Sequence, residues 1–193
     1  MFKLPSSRFA KGFTAIELMV TVAILAVLAA IAAPSFKPMI ERWQVRQVSE
    51  ELQSTIYFAR SEAVKRGGGI VILRSSSTND CTISDSDTDL WNCGWVVFAD
   101  KNGNGTKDSG EEELQLFAPS TRIKVQFTKT DNTSLTNPIL VDRWGQLSSN
   151  SISSFAFRLT PLNSSSTEAS ASSLCVSGSG RIKRIESGTT ACT

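Results

Sequence analysis

Apolar residues fall into three patterns along this chain. From Thr14 to Ala33 they form a nearly continuous run, TAIELMVTVAILAVLAAIAA, interrupted by one charge at Glu17. Coiled as a helix rising about 1.5 Å per residue, that run reaches roughly 30 Å, the thickness of a bilayer's hydrocarbon core. The pattern then changes: Val45, Val48, Leu52, Ile56, Ala59 and Ala63 recur at spacings of three and four, one apolar face of an amphipathic helix. The two stretches read as one long rod bent near Pro34 and Pro38, and Gly67-Gly68-Gly69 ends it. Beyond the glycines, short apolar runs at 69–74, 94–100, 113–117, 122–128, 138–141, 154–159, 174–176 and 181–185 read as strands, each bounded by Ser, Asn, Asp or Gly. A long helix followed by many short strands predicts an α+β chain in which an antiparallel sheet packs on the helix's C-terminal half. Residues 163–173, NSSSTEASASS, read as a low-complexity loop.

The chain has 193 residues, room for one compact domain beside the apolar segment. Its net charge of +2 hides an uneven distribution: residues 1–12 carry +3, residues 67–113 carry 3 basic against 9 acidic groups, and residues 114–193 carry 8 against 4. There is no histidine, so the commonest general base and metal ligand are both missing, and most hydrolase and zinc chemistries lose their starting point. The many serines therefore have no histidine partner for nucleophilic catalysis, and no enzymatic activity or cofactor is expected. Four cysteines, Cys81, Cys93, Cys175 and Cys192, lack CxxC metal spacing and allow three pairings. Cys81 with Cys93 and Cys175 with Cys192 is the expected one, since each closes a short polar loop; two disulfides imply an oxidising compartment.

Lys3, Arg8 and Lys11 precede the apolar run with no acidic counterpart, which places residues 1–12 in the cytoplasm and the remainder outside. An ordinary secretory signal, cleaved near Ala30-Ile31-Ala32, would share that layout. Two features oppose it: the helical pattern continues past the apolar run, and Glu17 sits within the span, where an unpartnered carboxylate costs on the order of 3 kcal/mol. The segment KGFTAIELMVTVAILAVLAAIAAPSF resembles a type IV prepilin signal. That resemblance implies cleavage between Gly12 and Phe13 by a prepilin peptidase, N-methylation of Phe13, and a bacterial inner-membrane, single-pass protein with a periplasmic C-terminal domain. It also implies assembly with other pilins or pseudopilins through the N-terminal helix. The divisions that follow are a leader at 1–12, a transmembrane assembly helix at 13–36, its amphipathic continuation at 37–66 and a β-rich domain at 67–193. Removing the leader creates an α-amino cation at Phe13, four residues before Glu17, and the two can pair between neighbouring subunits; such a desolvated pair sets register more than it adds stability.

The stretch GWVVFADKNGNGTKDSGEEELQLF at 94–117, with LCVSGSGRIKR near the C-terminus, is similar to the GspH/FimT family of minor pilins and type II secretion pseudopilins. Within that stretch, Asp100, Asn102, Asn104, Asp108 and Glu111 match the EF-hand loop template position by position. A strand rather than a helix precedes the loop and a strand-like segment follows it, so a hairpin connection with its acids facing water is the favoured reading, and no metal is assigned.

Arg181, Lys183 and Arg184 place three cations in four residues after a glycine-rich stretch whose backbone a ligand could approach closely. In a strand, Arg181 and Lys183 would share one face and Ile182 and Arg184 the other. One reading is an edge strand kept from aggregation by its charges; the other is contact with a DNA backbone. Gly180-Arg181-Ile182-Lys183 resembles a GRxR-like motif through which some FimT-type members bind DNA, with lysine replacing the second arginine and losing its guanidinium fork. No aromatic residue lies nearby to stack bases, so any binding is expected to be weak, backbone-directed, sequence-independent and steeply salt-dependent, and Trp91, Trp95 and Trp144 read as core or loop packing. The functional reading is a minor pilin-like subunit of a type IV filament, with a type II secretion pseudopilin as one alternative and a DNA-binding module carried on a pilus as another.

Overall fold

A computed structural model describes residues 12–75, 81, 87–118, 122–136, 138–162, 170–186 and 192, with the side chains of 31–35 left aside. Residues 1–11 of the expected leader and 163–169 of the expected loop lie outside the described residues. The chain divides into two compact units, one ending at Lys37 and one beginning at Pro38. A single helix, α1 (Ala15–Arg66), runs through both prolines.

Both ends of α1 are capped by its own sequence. Thr14 and Glu17 form a capping box: Thr14 Oγ1 accepts the Glu17 N–H at 3.3 Å, and Glu17 Oε2 accepts the Thr14 N–H at 3.4 Å. At the other end Gly67 turns left-handed at φ 84°, and the N–H groups of Gly67 and Gly68 both reach Ala63 O, at 2.9 and 2.8 Å. Lys65 and Arg66 occupy the last turn, where positive charge complements the free carbonyls.

Among the described residues nine strands follow: β1 (Ile70–Arg74), β2 (Trp95–Ala99), β3 (Glu113–Phe117), β4 (Ile123–Lys129), β5 (Ile139–Val141), β6 (Leu147–Ser148), β7 (Phe155–Pro161), β8 (Ser172–Val176) and β9 (Ile182–Glu186). Each expected strand is present within two residues of its expected bounds. β6 is an addition, too short to show as an apolar run. The strands form two antiparallel sheets rather than one, ordered β3-β2-β1-β5-β6 and β4-β7-β8-β9. The division rests on long-range pairings such as β1 with β5, which alternation along a strand does not encode.

The expected stripe of α1 is buried: Val45, Val48, Leu52, Ile56, Ala59 and Ala63 join one core with Ile72 and Val97 of the first sheet and Phe127, Phe157 and Leu174 of the second. Each large side chain so covered contributes about 1.5–3 kcal/mol. Trp95 packs there too, stacked on Phe117 at 5.2 Å and donating its indole N–H to Thr55 Oγ1 at 2.9 Å. Disulfides join Cys81 to Cys93 and Cys175 to Cys192. The second brings the C-terminal end back to the second sheet, where Cys192 N–H bonds Thr130 O at 3.0 Å.

Candidate functional site

The N-terminal unit is bare. Phe13 is 82% exposed, and Ile16, Met19, Leu25 and Leu28 are exposed with it. A Cβ at Gly12 would meet nothing within 4 Å, so no packing in this chain demands glycine there. Glu17 is solvent-exposed and bonds only locally, to Thr14, through the cap. Among the described residues no helix is long and apolar enough to cross a membrane; the apolar sequence extends into 31–35, whose side chains are not described.

The 100–111 loop is held by its own side chains. Asp100 accepts the N–H groups of Gly103 and Gly105 at 2.7 and 2.8 Å, and Asp108 Oδ2 accepts the amides of Asn102 and Asn104 at 2.7 and 2.8 Å. Glu111 closes the loop by accepting the Lys101 and Asp108 N–H groups at 2.9 and 3.0 Å. The EF-hand-like positions therefore converge, but on each other and on loop backbone. Among the described residues no group of three or more acidic or cysteine side chains is arranged to hold a metal ion. The loop's end is clamped to α1: Arg66 meets both carboxylate oxygens of Glu112 at 2.7 and 3.1 Å and Glu62 at 2.7 Å. The hydrogen bond it donates to Glu112, then that to Glu62, holds the Arg66 guanidinium above its ordinary pKa; the same bonds lower both carboxylates.

Lys183 and Arg184 lie in β9, the outer strand of the second sheet, and Arg181 immediately precedes it. Burial alternates as the strand period requires: Arg181 and Lys183 are exposed, while Ile182 and Arg184 are partly covered. Arg184 is engaged by Glu186 at 3.2 Å and Glu50 at 4.0 Å, so it is not a free cation for a phosphate. Arg181 and Lys183 have no ion-pair partner among the described residues. The glycine before them serves the fold: Gly180 has φ 82°, and a Cβ on it would overlap the Arg60 guanidinium. Arg60, rather than a ligand, is what approaches that backbone. Its Nε donates to Gly145 O at 2.7 Å, its Nη2 to Ser179 O at 2.9 Å and its Nη1 to Gly180 O at 3.4 Å.

The expectation for Trp144 needs correction. Trp91 and Trp95 are core residues, but Trp144 is 75% exposed on the β5–β6 turn, the turn that Arg60 ties to the one preceding β9. Sequence distance, 37 residues from Trp144 to Arg181, concealed that tie between their two turns. Arg60 left a faint signal: four residues after Ile56 and three before Ala63, it flanks the buried stripe.

The GspH model, described as type II transport protein GspH, matches residues 48–180, more than half of the chain. The chain belongs to the GspH family. A second model, the prokaryotic N-terminal methylation motif, matches residues 7–33 of this GspH-family chain. Gly12, Phe13 and Glu17 lie inside that motif; the Asp100 loop, Arg60, Trp144 and Gly180 lie inside the GspH match, which ends one residue before Arg181. The type IV major alpha-pilin of Moraxella bovis is 42% identical over 69 residues, 36% of this chain and 43% of that protein. A fimbrial protein of Pseudomonas aeruginosa is 44% identical over 61 residues, 32% and 39% of the two chains. The GspH-family chain thus spans less than half the length of these curated relatives. The crystal structure of the Pseudomonas aeruginosa type IV minor pilin FimU shares the fold, with a TM-score of 0.55 at 19% identity over 80% of this chain and 99% of that one. The GspH match gives the family, and the likeness to FimU shows the fold.

Proposed function

We propose that this chain is a minor subunit of a type IV filament, anchored in the inner membrane by its N-terminal helix and assembled through it. The observation that carries this reading is the bare apolar helix with Glu17 near its start, inside a methylation motif. In the proposed sequence of events the peptidase cuts between Gly12 and Phe13, and the new α-amino group is methylated. A subunit then leaves the bilayer when its neighbour's terminal cation pairs with Glu17. The helices pack as the filament core while the disulfide-bearing domain stays outside the membrane, in the periplasm. The protein acts by binding other subunits, without a catalytic centre or cofactor.

The test is Glu17→Ala. The variant is expected to be processed and membrane-inserted, yet poorly incorporated into filaments; normal incorporation would sink the pairing.

Between a pilus and a type II secretion pseudopilus, two exposed cations without an ion-pair partner among the described residues, Arg181 just before β9 and Lys183 within it, favour the pilus, where they would contact DNA backbone during uptake. Deleting the gene is then expected to impair piliation and leave protein secretion intact; the reverse result assigns the pseudopilus. DNA retention by the protein at low salt is expected to fall when Arg181 and Lys183 are replaced by alanine, and to fall steeply with added salt.

A further inference from the structure

Two turns that lie far apart in sequence are locked side by side. The β5–β6 turn and the β8–β9 turn share the three hydrogen bonds of Arg60, to Gly145, Ser179 and Gly180. A guanidinium holds its donors in one rigid plane, so it sets the spacing of the carbonyls it joins. A second tie, Leu147 N–H to Gly178 O at 2.9 Å, reinforces the pairing. Trp144 stands one residue before Gly145, and Arg181 stands one residue after Gly180.

The Trp144 turn is itself stiff. Asp142 Oδ1 accepts the N–H groups of Trp144 and Gln146 at 2.9 and 2.8 Å. Gly145 N–H bonds Asp142 O at 2.9 Å, and Asp142 N–H bonds Gln146 O at 3.0 Å. A large aromatic side chain left 75% exposed on a rigid turn gains little burial for the fold. Arg143 stands on the same turn, Arg181 ends the turn tied to it, and Lys183 follows two residues later; all three are exposed and without an ion-pair partner among the described residues. Asp142 is the single acid in the two turns, and its Oδ1 is engaged by backbone.

An exposed aromatic face beside free cations is the arrangement that binds unpaired bases, stacking on the ring while phosphates meet the charges. A duplex offers the same phosphates but keeps its bases stacked inside, and extracting one costs a few kcal/mol. We propose that Trp144 stacks an unpaired base while Arg143, Arg181 and Lys183 contact the flanking phosphates, which makes the ligand single-stranded nucleic acid. This rests on the backbone contact proposed above for Arg181 and Lys183 and adds to it a base contact and a preference of strand form.

The experiment uses the full chain in detergent micelles at low salt. Fluorescence anisotropy would follow a labelled oligodeoxythymidine and, separately, a labelled duplex of the same length. Wild type is expected to bind the single strand more tightly. Trp144→Ala is expected to weaken single-strand binding about tenfold while leaving duplex binding unchanged, and Trp144→Phe to recover most of the loss. Replacing Arg181 and Lys183 together by alanine should weaken both probes. Because Trp144 is exposed, its variants should melt as wild type does, which separates lost binding from lost folding. Equal affinity for the two probes, or single-strand binding indifferent to Trp144→Ala, overturns the stacking and leaves the phosphate contact standing. No binding of either probe, or binding indifferent to the Arg181 and Lys183 replacement, overturns the contact and the stacking together.

Discussion

Two stretches of the same helix send their apolar side chains to different places. Between Ile16 and Leu28 the large apolar residues are exposed, whereas Val45, Leu52, Ile56, Ala59 and Ala63 are buried against two sheets. Helix propensity does not separate them, since both are built from Ala, Leu, Ile and Val with good helix formers between. The difference is geometric: the second stretch is apolar on one face, which one neighbouring layer can cover, while the first is apolar all round. A surface apolar all round cannot be covered by a single packed layer, and the described side chains of the first stretch are exposed. One-sided patterning reports the fold, and all-round patterning with one charge is what the proposed assembly would use.

The largest effect expected from this contrast is loss of filament incorporation on changing Glu17. Glutamate there has two roles that an alanine variant removes together, the cap on Thr14 and the charge. Glu17→Gln keeps the capping box, which accepts glutamine as readily, and removes the charge alone. Both variants are expected to be absent from filaments; incorporation of the glutamine variant at wild-type levels, with the alanine variant excluded, would show that the cap rather than the ion pair is needed.

Next in size is the energetic contrast between the halves. Ile56→Ala opens a cavity in the shared core and should destabilise the domain by about 2–5 kcal/mol in denaturant unfolding. Leu25→Ala, on the bare half, should leave that unfolding curve unchanged. Equal losses at the two positions would mean that the first half is packed within its own chain.

The same contrast explains what was legible in the sequence. The helix, the eight longer strands and the six buried stripe positions follow from local periodicity, a property of neighbouring residues. The methylation motif that holds Gly12 and Glu17 was legible because it is a linear segment. The capping box T-x-x-E at Thr14 and Glu17 is equally a local signal. The role of Gly180, the exposure of Trp144 and the link through Arg60 had no local signature. They exist because chain folding brings together positions 60, 144 and 180.

A smaller effect tests that link. Gly180→Ala imposes a side chain where φ is 82° and where a Cβ would overlap the Arg60 guanidinium, and should cost about 1–3 kcal/mol. Part of that loss belongs to the overlap and should vanish when Arg60 is first replaced by methionine, giving a non-additive double-mutant cycle. Strict additivity would mean that the backbone angle alone demands glycine.

The smallest expected effect concerns the end of the buried half, where Arg66 clamps Glu112 and Glu62. Both carboxylates are held below their ordinary pKa by the hydrogen bond from Arg66, so folding favours their ionised forms. The stability they supply is therefore present above the unfolded value, near pH 4.3, and is lost as the pH falls through the lower folded values. Wild type should melt slightly above Glu112→Gln at neutral pH, by about 1–2 °C for so exposed a pair, and the two melting curves should converge as the pH falls. A gap that persisted unchanged in acid would assign Glu112 a packing role independent of its charge. A reversed gap, with the glutamine variant melting higher at neutral pH, would mean that desolvating the carboxylate outweighs its pairing with Arg66.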